Sequence, residues 1–134
     1  MALKISLLKS ICVLLHLCST VSGQALVLDG DTIMVEGIRV RLIGIDAEEL
    51  IEPHGLDAKR HMQVLVNGST IICKLTGERS YERYIGRCYR NSDDLAVAMV
   101  SQGKALDCAH YSHGEYRKYE PANARSYLIQ KPYC

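Results

Sequence analysis

Phenylalanine and tryptophan are absent from this sequence, and its aromatic side chains besides histidine are eight tyrosines. The core must therefore be built from Leu, Ile, Val, Met and Tyr. A strong excess of either charge is also missing, because 16 basic and 15 acidic residues give a formal net charge of +1. This balance excludes the basic surface of a protein that coats nucleic acid. Any polyanion would have to be bound locally, with help from a metal ion.

A hydrophobic run long enough to span a membrane is missing as well. The start of the chain is basic up to Lys9, and the apolar stretch 10–17 is shorter than the roughly 20 residues that a bilayer requires. Small residues at 21–23 then precede Gln24, which is the pattern of a cleaved secretory signal. We therefore expect residues 1–23 to be removed on export to the periplasm or the medium, leaving 24–134 as one domain. The alternatives are an uncleaved membrane anchor and a lipid anchor at Cys18.

Closely spaced cysteine pairs of the CxxC type are absent, which disfavours a structural zinc site. Removal of the leader takes two of the six cysteines and leaves Cys73, Cys88, Cys108 and Cys134. In an exported domain, four cysteines predict two disulfides, for which three connectivities are possible. We favour Cys73–Cys88 and Cys108–Cys134, because each pairing closes a short local loop.

The stretch 29–49 places acids and arginines next to apolar strand positions. Apolar residues at 38, 40 and 42 alternate with arginines, which predicts a strand with one buried face, and Gly37 supplies the turn before it. A hairpin around that turn pairs Asp31 with about residue 42 and leaves Asp46 about 13 Å further along an extended strand. For the two aspartates to share a cation the sheet has to curl or bulge, and Gly44 is the expected kink.

The remaining chain alternates between β-like and helical patterns. Strand patterns lie at 70–75 and 84–89, and helical patterns lie at 56–66, after Asp93 or Asp94, and after Pro121. A strongly curled small sheet is what a closed barrel provides. The order therefore predicts an α+β domain, rich in β-structure and barrel-like, with its helices inserted late.

Four segments of the sequence resemble one known family. They read VLDGDTI…VRLIGIDAEEL, ERYIGRC, LAVAMVSQGKAL and YEPANARS, and in this order they are similar to the staphylococcal (thermo)nuclease family over essentially the whole chain after the leader. The QKPYC ending and the cysteine pattern also resemble small exported bacterial members. The resemblance implies an OB-type five-stranded curled barrel with about three helices. It further implies a monomeric, calcium-dependent phosphodiesterase that cuts DNA and RNA.

The resemblance also assigns roles to individual residues. Asp31 and Asp46 would be the carboxylate ligands of Ca²⁺, and Ala47 would add its backbone carbonyl. Glu49 would orient or deprotonate the attacking water. Arg41 and Arg87 would bind the scissile phosphate. These roles suit the chemistry, because a hard cation takes oxygen ligands, guanidinium groups fork onto phosphate, and a carboxylate accepts a proton from water.

Two positions depart from the pattern of the family. Glu48 stands where members usually have proline, which loosens the loop that carries Glu49 and adds a negative charge beside the metal. The sequence also has an extra residue, Ile85, within the usual Arg-Tyr-Gly-Arg motif. One extra strand residue reverses the facing of the side chains unless a bulge absorbs it, so Arg83 is the alternative to Arg87 as the phosphate ligand.

Two tyrosines are candidates for contact with a nucleotide, because a base can stack on an aromatic face. They are Tyr84 and Tyr111, and a core or rim role is the competing interpretation for each. Two other functions stay open for the domain as a whole. One is a catalytically inactive barrel that binds single-stranded nucleic acid or a protein partner, and the other is a calcium-dependent phosphodiesterase with a substrate other than nucleic acid.

Overall fold

A computed structural model describes residues 19–134, and within them it contains nine β-strands, four α-helices and one 3₁₀ helix. The strands are β1 (Thr20–Gly23), β2 (Ala25–Asp29), β3 (Thr32–Val35), β4 (Ile38–Leu42), β5 (Ile45–Asp46), β6 (Ile71–Ser80), β7 (Arg83–Arg90), β8 (Asp93–Asp94) and β9 (Leu106–Asp107). The α-helices are α1 (Gly55–Val66), α2 (Leu95–Ser101), α3 (Ala109–Ser112) and α4 (Ala124–Tyr127), and the 3₁₀ helix is Arg117–Tyr119.

The main sheet curls into a barrel, as predicted. The barrel has five strands when β1 and β2, which belong to one chain segment, are counted as one, and β8 pairs with β7 beside it. Its strands lie in the order β1-β6-β7-β4-β3-β2, and all pairs on this path are antiparallel except β4 with β7. The first and last strands of this order, β1 and β2, are consecutive pieces of one chain segment that is interrupted only at Gln24. Because one piece pairs with β6 and the other with β3, the segment closes the sheet on itself.

The β3–β4 hairpin has the predicted register, with Thr32 opposite Arg41 and Val35 opposite Ile38. Glu36 and Gly37 form its turn with φ values of 53° and 75°, a conformation that glycine adopts without strain. Alternate side chains of the hairpin point into the barrel, where Ile33, Val35, Val40 and Leu42 are at most 1% exposed. The same alternation turns Arg41 to the other face of the sheet.

The predicted helices are confirmed in position, with one difference in length. The Asp94 side chain caps α2 by accepting a hydrogen bond from the backbone N–H of Ala96 at 2.8 Å. The last helix, α4, is a single turn instead of the longer helix that Pro121 suggested. The chain becomes extended at Leu128, with φ −88° and ψ 139°, and the backbone N–H of Ile129 donates to Glu48, a side chain of another segment, at 3.4 Å. The domain thus has two helices of several turns and two of one turn.

The prediction that residues 1–23 take no part in the fold is wrong for Thr20–Gly23. These residues form β1, in which Val21 lies opposite Cys73 and Gly23 lies opposite Ile71. Cleavage after Gly23 would remove the strand that closes the barrel on β6. Residues 1–18 of the predicted leader, with Cys12 and Cys18, lie outside the described residues. Removal of a leader and its point of cleavage stay predictions.

Both predicted disulfides are present. Cys73 and Cys88 are directly opposite on β6 and β7 and are joined at an S–S distance of 2.04 Å, and Cys108 is joined to Cys134 at 2.11 Å.

Of the helices in residues 19–134, none combines the length and the apolar character needed to cross a membrane.

Candidate active site

The side chains of Asp31, Arg41 and Asp46 meet at one end of the barrel. The Arg41 guanidinium, on β4, places its Nη2 3.2 Å from Oδ2 of Asp31 and 3.5 Å from Oδ1 of Asp46. All three side chains are largely shielded from solvent, with exposed fractions of 15% for Arg41, 8% for Asp31 and 3% for Asp46. The structure therefore brings the two predicted carboxylate ligands to a single guanidinium, although they lie fifteen positions apart in sequence (46 − 31).

Gly44 makes this meeting possible, as its position suggested. Its φ of +80° turns the chain between β4 and β5, and an added Cβ would lie 2.9 Å from Cβ of Ser112 and from Cε2 of Tyr116. The chain then pairs with β9 instead of extending the main sheet, with Asp46 opposite Leu106. A β-branched or larger residue at 44 would strain the backbone and push α3 away.

Asp31 is held by the backbone of the segment that carries Asp46. Its Oδ2 accepts a hydrogen bond from the backbone N–H of Ala47 at 2.9 Å, and its Oδ1 accepts one from the Thr32 hydroxyl at 3.2 Å. Burial raises the pKa of Asp31 to about 7, against the opposing effect of the Arg41 charge. The pKa of Asp46 is also raised by burial, and this effect outweighs the hydrogen bond from Tyr133 and the charge of Arg41, which act to lower the pKa. Both carboxylates thus lack the solvation that an anion needs.

This donor set fits a hard cation that is held only in part by the protein. Two carboxylates face one guanidinium, so a negative charge is left over, and oxygen is the ligand atom that Ca²⁺ takes. Within residues 19–134, no group of three or more His, Cys, Asp or Glu side chains is arranged to hold a metal. A bound cation would therefore have to complete its shell with oxygen from elsewhere, such as a backbone carbonyl, water or substrate. Buried Ala47 lies beside Asp31 and donates its N–H to that carboxylate.

A cleft of about 520 Å³ opens beside Arg41. Its walls are rich in groups that suit a phosphate and a base: the arginines Arg41, Arg79 and Arg83, the tyrosines Tyr81, Tyr111 and Tyr133, and the carboxylate of Glu49. Glu49 is exposed on this wall, three residues beyond Asp46. Its backbone N–H donates to Glu52 at 2.7 Å, so the loop is folded back on itself and the Glu49 side chain is left for the cleft.

The two candidate arginines of β7 have different surroundings. Arg83 lines the cleft, and its Nη1 lies 3.4 Å from the Thr32 hydroxyl, which itself donates to Asp31. Arg87 does not line the cleft. Its two terminal nitrogens donate to both oxygens of Glu115 at 3.1 and 2.8 Å, and Nη1 also donates to the Tyr116 hydroxyl at 2.7 Å.

The register of β7 places Arg83 and Arg87 on either side of the residue that lies opposite Arg41, so the contacts of the two arginines decide between them. Ile85 lies opposite Arg41 in the parallel β4–β7 pair, and no register shift occurs in that pair. Arg83 and Arg87 are then on the same face of the strand but about 13 Å apart along it. The irregularity lies instead on β6, between Leu75 and Arg79. Of the two alternatives that the sequence left, the geometry favours Arg83 as the phosphate ligand.

The two candidate tyrosines also differ. Tyr111 lines the cleft with 52% of its surface exposed, so its ring is available for stacking. Tyr84 is not among the cleft residues, and the guanidinium of Arg79 lies over its ring at 4.5 Å from the centroid. This contact matches the competing interpretation of Tyr84 as a residue of the rim.

Sequence reasoning missed Tyr133, whose hydroxyl donates to Oδ1 of Asp46 at 2.7 Å. It also missed Tyr81, which is 95% exposed at the β6–β7 turn and lines the cleft. The predicted Cys108–Cys134 pairing was half of the signal for Tyr133, because it ties the end of the chain to Cys108. The other half is the pairing of β9, which directly precedes Cys108, with the strand of Asp46. No sequence pattern predicts a two-residue strand such as β9, so the proximity of Tyr133 to Asp46 could not be deduced.

Comparison with known proteins agrees with this fold. Residues 39–127, more than half of the chain, match the family described as staphylococcal nuclease homologue. The chain is 36% identical over 102 residues to an uncharacterized endonuclease of Escherichia coli O157:H7, covering 72% of this chain and 67% of that protein. It is 31% identical over 97 residues to the succinoglycan biosynthesis protein ExoI of Rhizobium meliloti, covering 63% of this chain and 51% of that protein.

A plant protein gives a similar picture. The probable staphylococcal-like nuclease CAN1 of Oryza sativa is 30% identical over 88 residues, covering 66% of this chain and 26% of that protein. The chain thus spans between about a quarter and two thirds of the length of these relatives. It belongs to the staphylococcal nuclease homologue family, as the sequence motifs predicted.

Proposed function

We propose that this protein is an exported, monomeric nuclease that uses Ca²⁺ to hydrolyse phosphodiester bonds in DNA and RNA. The observation that carries the proposal is the pair of buried carboxylates that share the Arg41 guanidinium at the edge of a cleft with a second arginine. Two of the relatives described above have names that include endonuclease or nuclease, which supports the same reaction class.

The proposed division of roles starts with charge. A phosphodiester is an anion, so the site must offset negative charge before a nucleophile can approach. In this proposal Arg41 and Arg83 fork onto the phosphate oxygens, and they stay charged at every relevant pH. Asp31, Asp46 and the Ala47 carbonyl hold the cation, which when bound supplies Lewis-acid stabilisation of the charge that develops on phosphate.

Glu49 is the proposed proton acceptor. It lies on the cleft wall in the loop that follows Asp46, and its side chain is exposed to the water that would be activated. A positioned carboxylate that accepts a proton contributes about 10²- to 10⁴-fold to a hydrolysis rate. Tyr111 and Tyr81 are the exposed rings on which bases of a single strand would stack, at about 1–3 kcal/mol per base. Stacking of this kind does not distinguish deoxyribose from ribose.

The test is cleavage of single-stranded DNA and of RNA by the oxidised protein, expressed with its own leader. Each substrate is incubated with Ca²⁺, with Mg²⁺ and with a chelator. We expect Ca²⁺-dependent cutting of both substrates, lost in Asp31→Ala and kept in Asp93→Ala, a control acid whose side chain is 72% exposed on β8. Ca²⁺ binding without cutting would contradict the nuclease proposal and leave the inactive barrel. Cutting of bis(p-nitrophenyl) phosphate but of neither polymer would favour a different phosphodiester substrate.

A further inference from the structure

The last six residues, 129–134, cross the loop that carries Asp46 and Glu49, and we call them the C-terminal strap. The strap contacts the loop at three of its acids. The Ile129 N–H donates to Glu48 at 3.4 Å, the Lys131 ammonium pairs with Glu52, and the Tyr133 hydroxyl donates to Asp46 at 2.7 Å. The strap therefore contacts the loop on both sides of the proposed proton acceptor, Glu49, at Asp46 and Glu48 before it and at Glu52 after it.

These contacts account for Glu48, which stands where proline was expected. Glu48 is 3% exposed, and a buried carboxylate is costly unless donors satisfy it. One oxygen accepts from the His54 N–H, at the start of α1, at 3.3 Å, and the other accepts from the Ile129 N–H of the strap. Hydrogen bonds from Glu48 to the start of α1 and to the strap thus hold the loop in place. A proline at this position would have restricted the loop through the fixed φ of its ring.

Tyr133 acts on a candidate ligand of the metal directly. Its hydroxyl and the Arg41 Nη2 both approach Oδ1 of Asp46, at 2.7 and 3.5 Å. Two donors on one oxygen fix the rotation of the carboxylate and leave the other oxygen for a cation. Hydrogen bonds from such supporting residues typically govern metal affinity or activity by roughly 10- to 100-fold.

The Cys108–Cys134 disulfide sets the position of Tyr133. Cys108 directly follows β9, which pairs with the strand that contains Asp46, and Cys134 directly follows Tyr133. The Cys134 carbonyl also accepts a hydrogen bond from the His110 N–H at 3.0 Å. The disulfide therefore joins the strap to the neighbour of the Asp46 strand, one residue away from the hydroxyl that binds Asp46.

We propose that Tyr133 is a positioning residue for Asp46, and that the Cys108–Cys134 disulfide is needed to hold it there. This inference rests on the proposed function, because it gives Tyr133 a role at the same site. It goes further in making the activity depend on one of the two disulfides. The Cys73–Cys88 disulfide is fully buried and joins β6 to β7, whereas the strap follows α4.

The first experiment compares Tyr133→Phe with Tyr127→Phe in the full oxidised chain. Each variant loses one hydroxyl, but that of Tyr127 donates to the Gly103 carbonyl at 3.1 Å, outside the cleft. Calorimetric titration with Ca²⁺ alone should show roughly tenfold weaker binding for Tyr133→Phe and unchanged binding for Tyr127→Phe. Single-turnover cleavage should show the rate at saturating DNA restored when Ca²⁺ is raised about tenfold.

Equal Ca²⁺ affinity in Tyr133→Phe and the parent, with an active parent, would overturn the role of Tyr133 and leave the proposed function intact. A parent that binds no Ca²⁺ and cuts nothing would overturn both. Equal losses in the two Phe variants would assign the effect to general destabilisation and would also overturn the proposal.

The second experiment tests the disulfide through Cys108→Ser/Cys134→Ser. If the disulfide acts by placing Tyr133, this variant loses Ca²⁺ affinity to the same extent, and adding Tyr133→Phe causes no further loss. Losses that multiply would show that the disulfide and the hydroxyl act independently and would overturn the link. A dithiol reductant offers the same test in Cys73→Ala/Cys88→Ala, where Cys108–Cys134 is the disulfide left to reduce. The reductant is oxidised to its own disulfide while Cys108 and Cys134 each gain one electron and one proton.

Discussion

Arg41 and Arg87 lie on adjacent strands and both form ion pairs, but the charges around them are balanced differently. Arg41 faces two carboxylates whose side chains are at most 8% exposed. Arg87 is paired through both terminal nitrogens with one carboxylate, Glu115, which is 47% exposed. The first cluster has a surplus of buried negative charge beside a cleft, and the second has a satisfied ion pair at the surface.

This difference separates a site from a structural contact. The pKa of Asp31 is raised by burial, whereas the pKa of Arg87 is raised by its hydrogen bonds to Glu115. In the first cluster the protein buries the Asp31 carboxylate, and a bound cation would stabilise the ionised form of that carboxylate. In the second cluster each charge already has its partner, so little is gained from a ligand. The same residue type on neighbouring strands therefore serves two purposes.

The largest effect is expected for Arg41→Lys. Lysine keeps the positive charge between the two carboxylates, so the fold is retained, but it lacks the fork that binds phosphate. Loss of one such donor lowers kcat by about 10²- to 10³-fold, and cleavage rates with melting curves as a folding control would measure it. Glu115→Gln is the matched change in the other cluster and should leave the rate within about twofold, since Glu115 does not line the cleft. Similar losses of cleavage rate in Arg41→Lys and Glu115→Gln would show that the clusters around Arg41 and Arg87 do not differ in function.

The two disulfides should separate stability from activity. Cys73–Cys88 links residues 15 apart and Cys108–Cys134 links residues 26 apart, so removal of either costs about 3 kcal/mol of unfolding free energy in the loop-entropy model. Cys73→Ala/Cys88→Ala should leave Ca²⁺ affinity unchanged, whereas Cys108→Ala/Cys134→Ala should weaken it. Urea unfolding and calorimetry on the same preparations would measure both. A stronger effect of the first pair on Ca²⁺ affinity would contradict the account.

The pH dependence of Ca²⁺ stabilisation should reveal the surplus charge. The folded protein raises the pKa of Asp31 from 3.8 to about 7, so ionised Asp31 costs stability that grows as pH rises from about 4 to 7. In the proposed function Ca²⁺ would offset this cost, and protons would compete with it below pH 7. The rise in melting temperature on adding Ca²⁺ should therefore be larger at pH 8 than at pH 5.5. In Asp31→Asn this pH dependence should largely vanish, and its persistence would assign the surplus charge to another group.

The smallest effect is expected for the stability of Glu115→Gln. The Arg87–Glu115 pair is 35% and 47% exposed, and ion pairs of this kind contribute about 0–1 kcal/mol. Thermal unfolding in low and high salt should show a difference from the parent that shrinks as salt screens the pair. A loss above about 2 kcal/mol would show that the cluster supports the fold more than its exposure suggests.

The sequence was sufficient to predict the hairpin and the acids it brings together. The alternation around Arg41, the turn at Gly37 and the kink at Gly44 are local signals, and local signals fix register. The required curl and the order of elements predicted a barrel, and the family motif added the expectation that it is five-stranded and of OB type. The disulfides followed from spacing, because two short loops were the simplest pairing of four cysteines.

Three features depended on contacts that no local pattern announces. The choice between Arg83 and Arg87 required the contacts of β7 with the rest of the barrel, and β7 pairs with β4 through residues 44 positions apart (85 − 41 = 44), Arg41 and Ile85. The approach of Tyr133 to Asp46 required the two-residue strand β9. The strand β1 lay within a stretch of small residues that also suits a cleavage site, so the pattern for a leader concealed a barrel strand.

The most direct test of the account is the Ca²⁺-dependent cleavage of one single-stranded oligonucleotide by the parent, Arg83→Ala and Arg87→Ala. The account places Arg83 in the cleft and Arg87 in an ion pair outside it. It predicts that Arg83→Ala lowers the rate by about a hundredfold or more, as loss of a charge-stabilising donor does, and that Arg87→Ala leaves it nearly unchanged. The opposite pattern, with activity lost in Arg87→Ala and kept in Arg83→Ala, would contradict the assignment of the site.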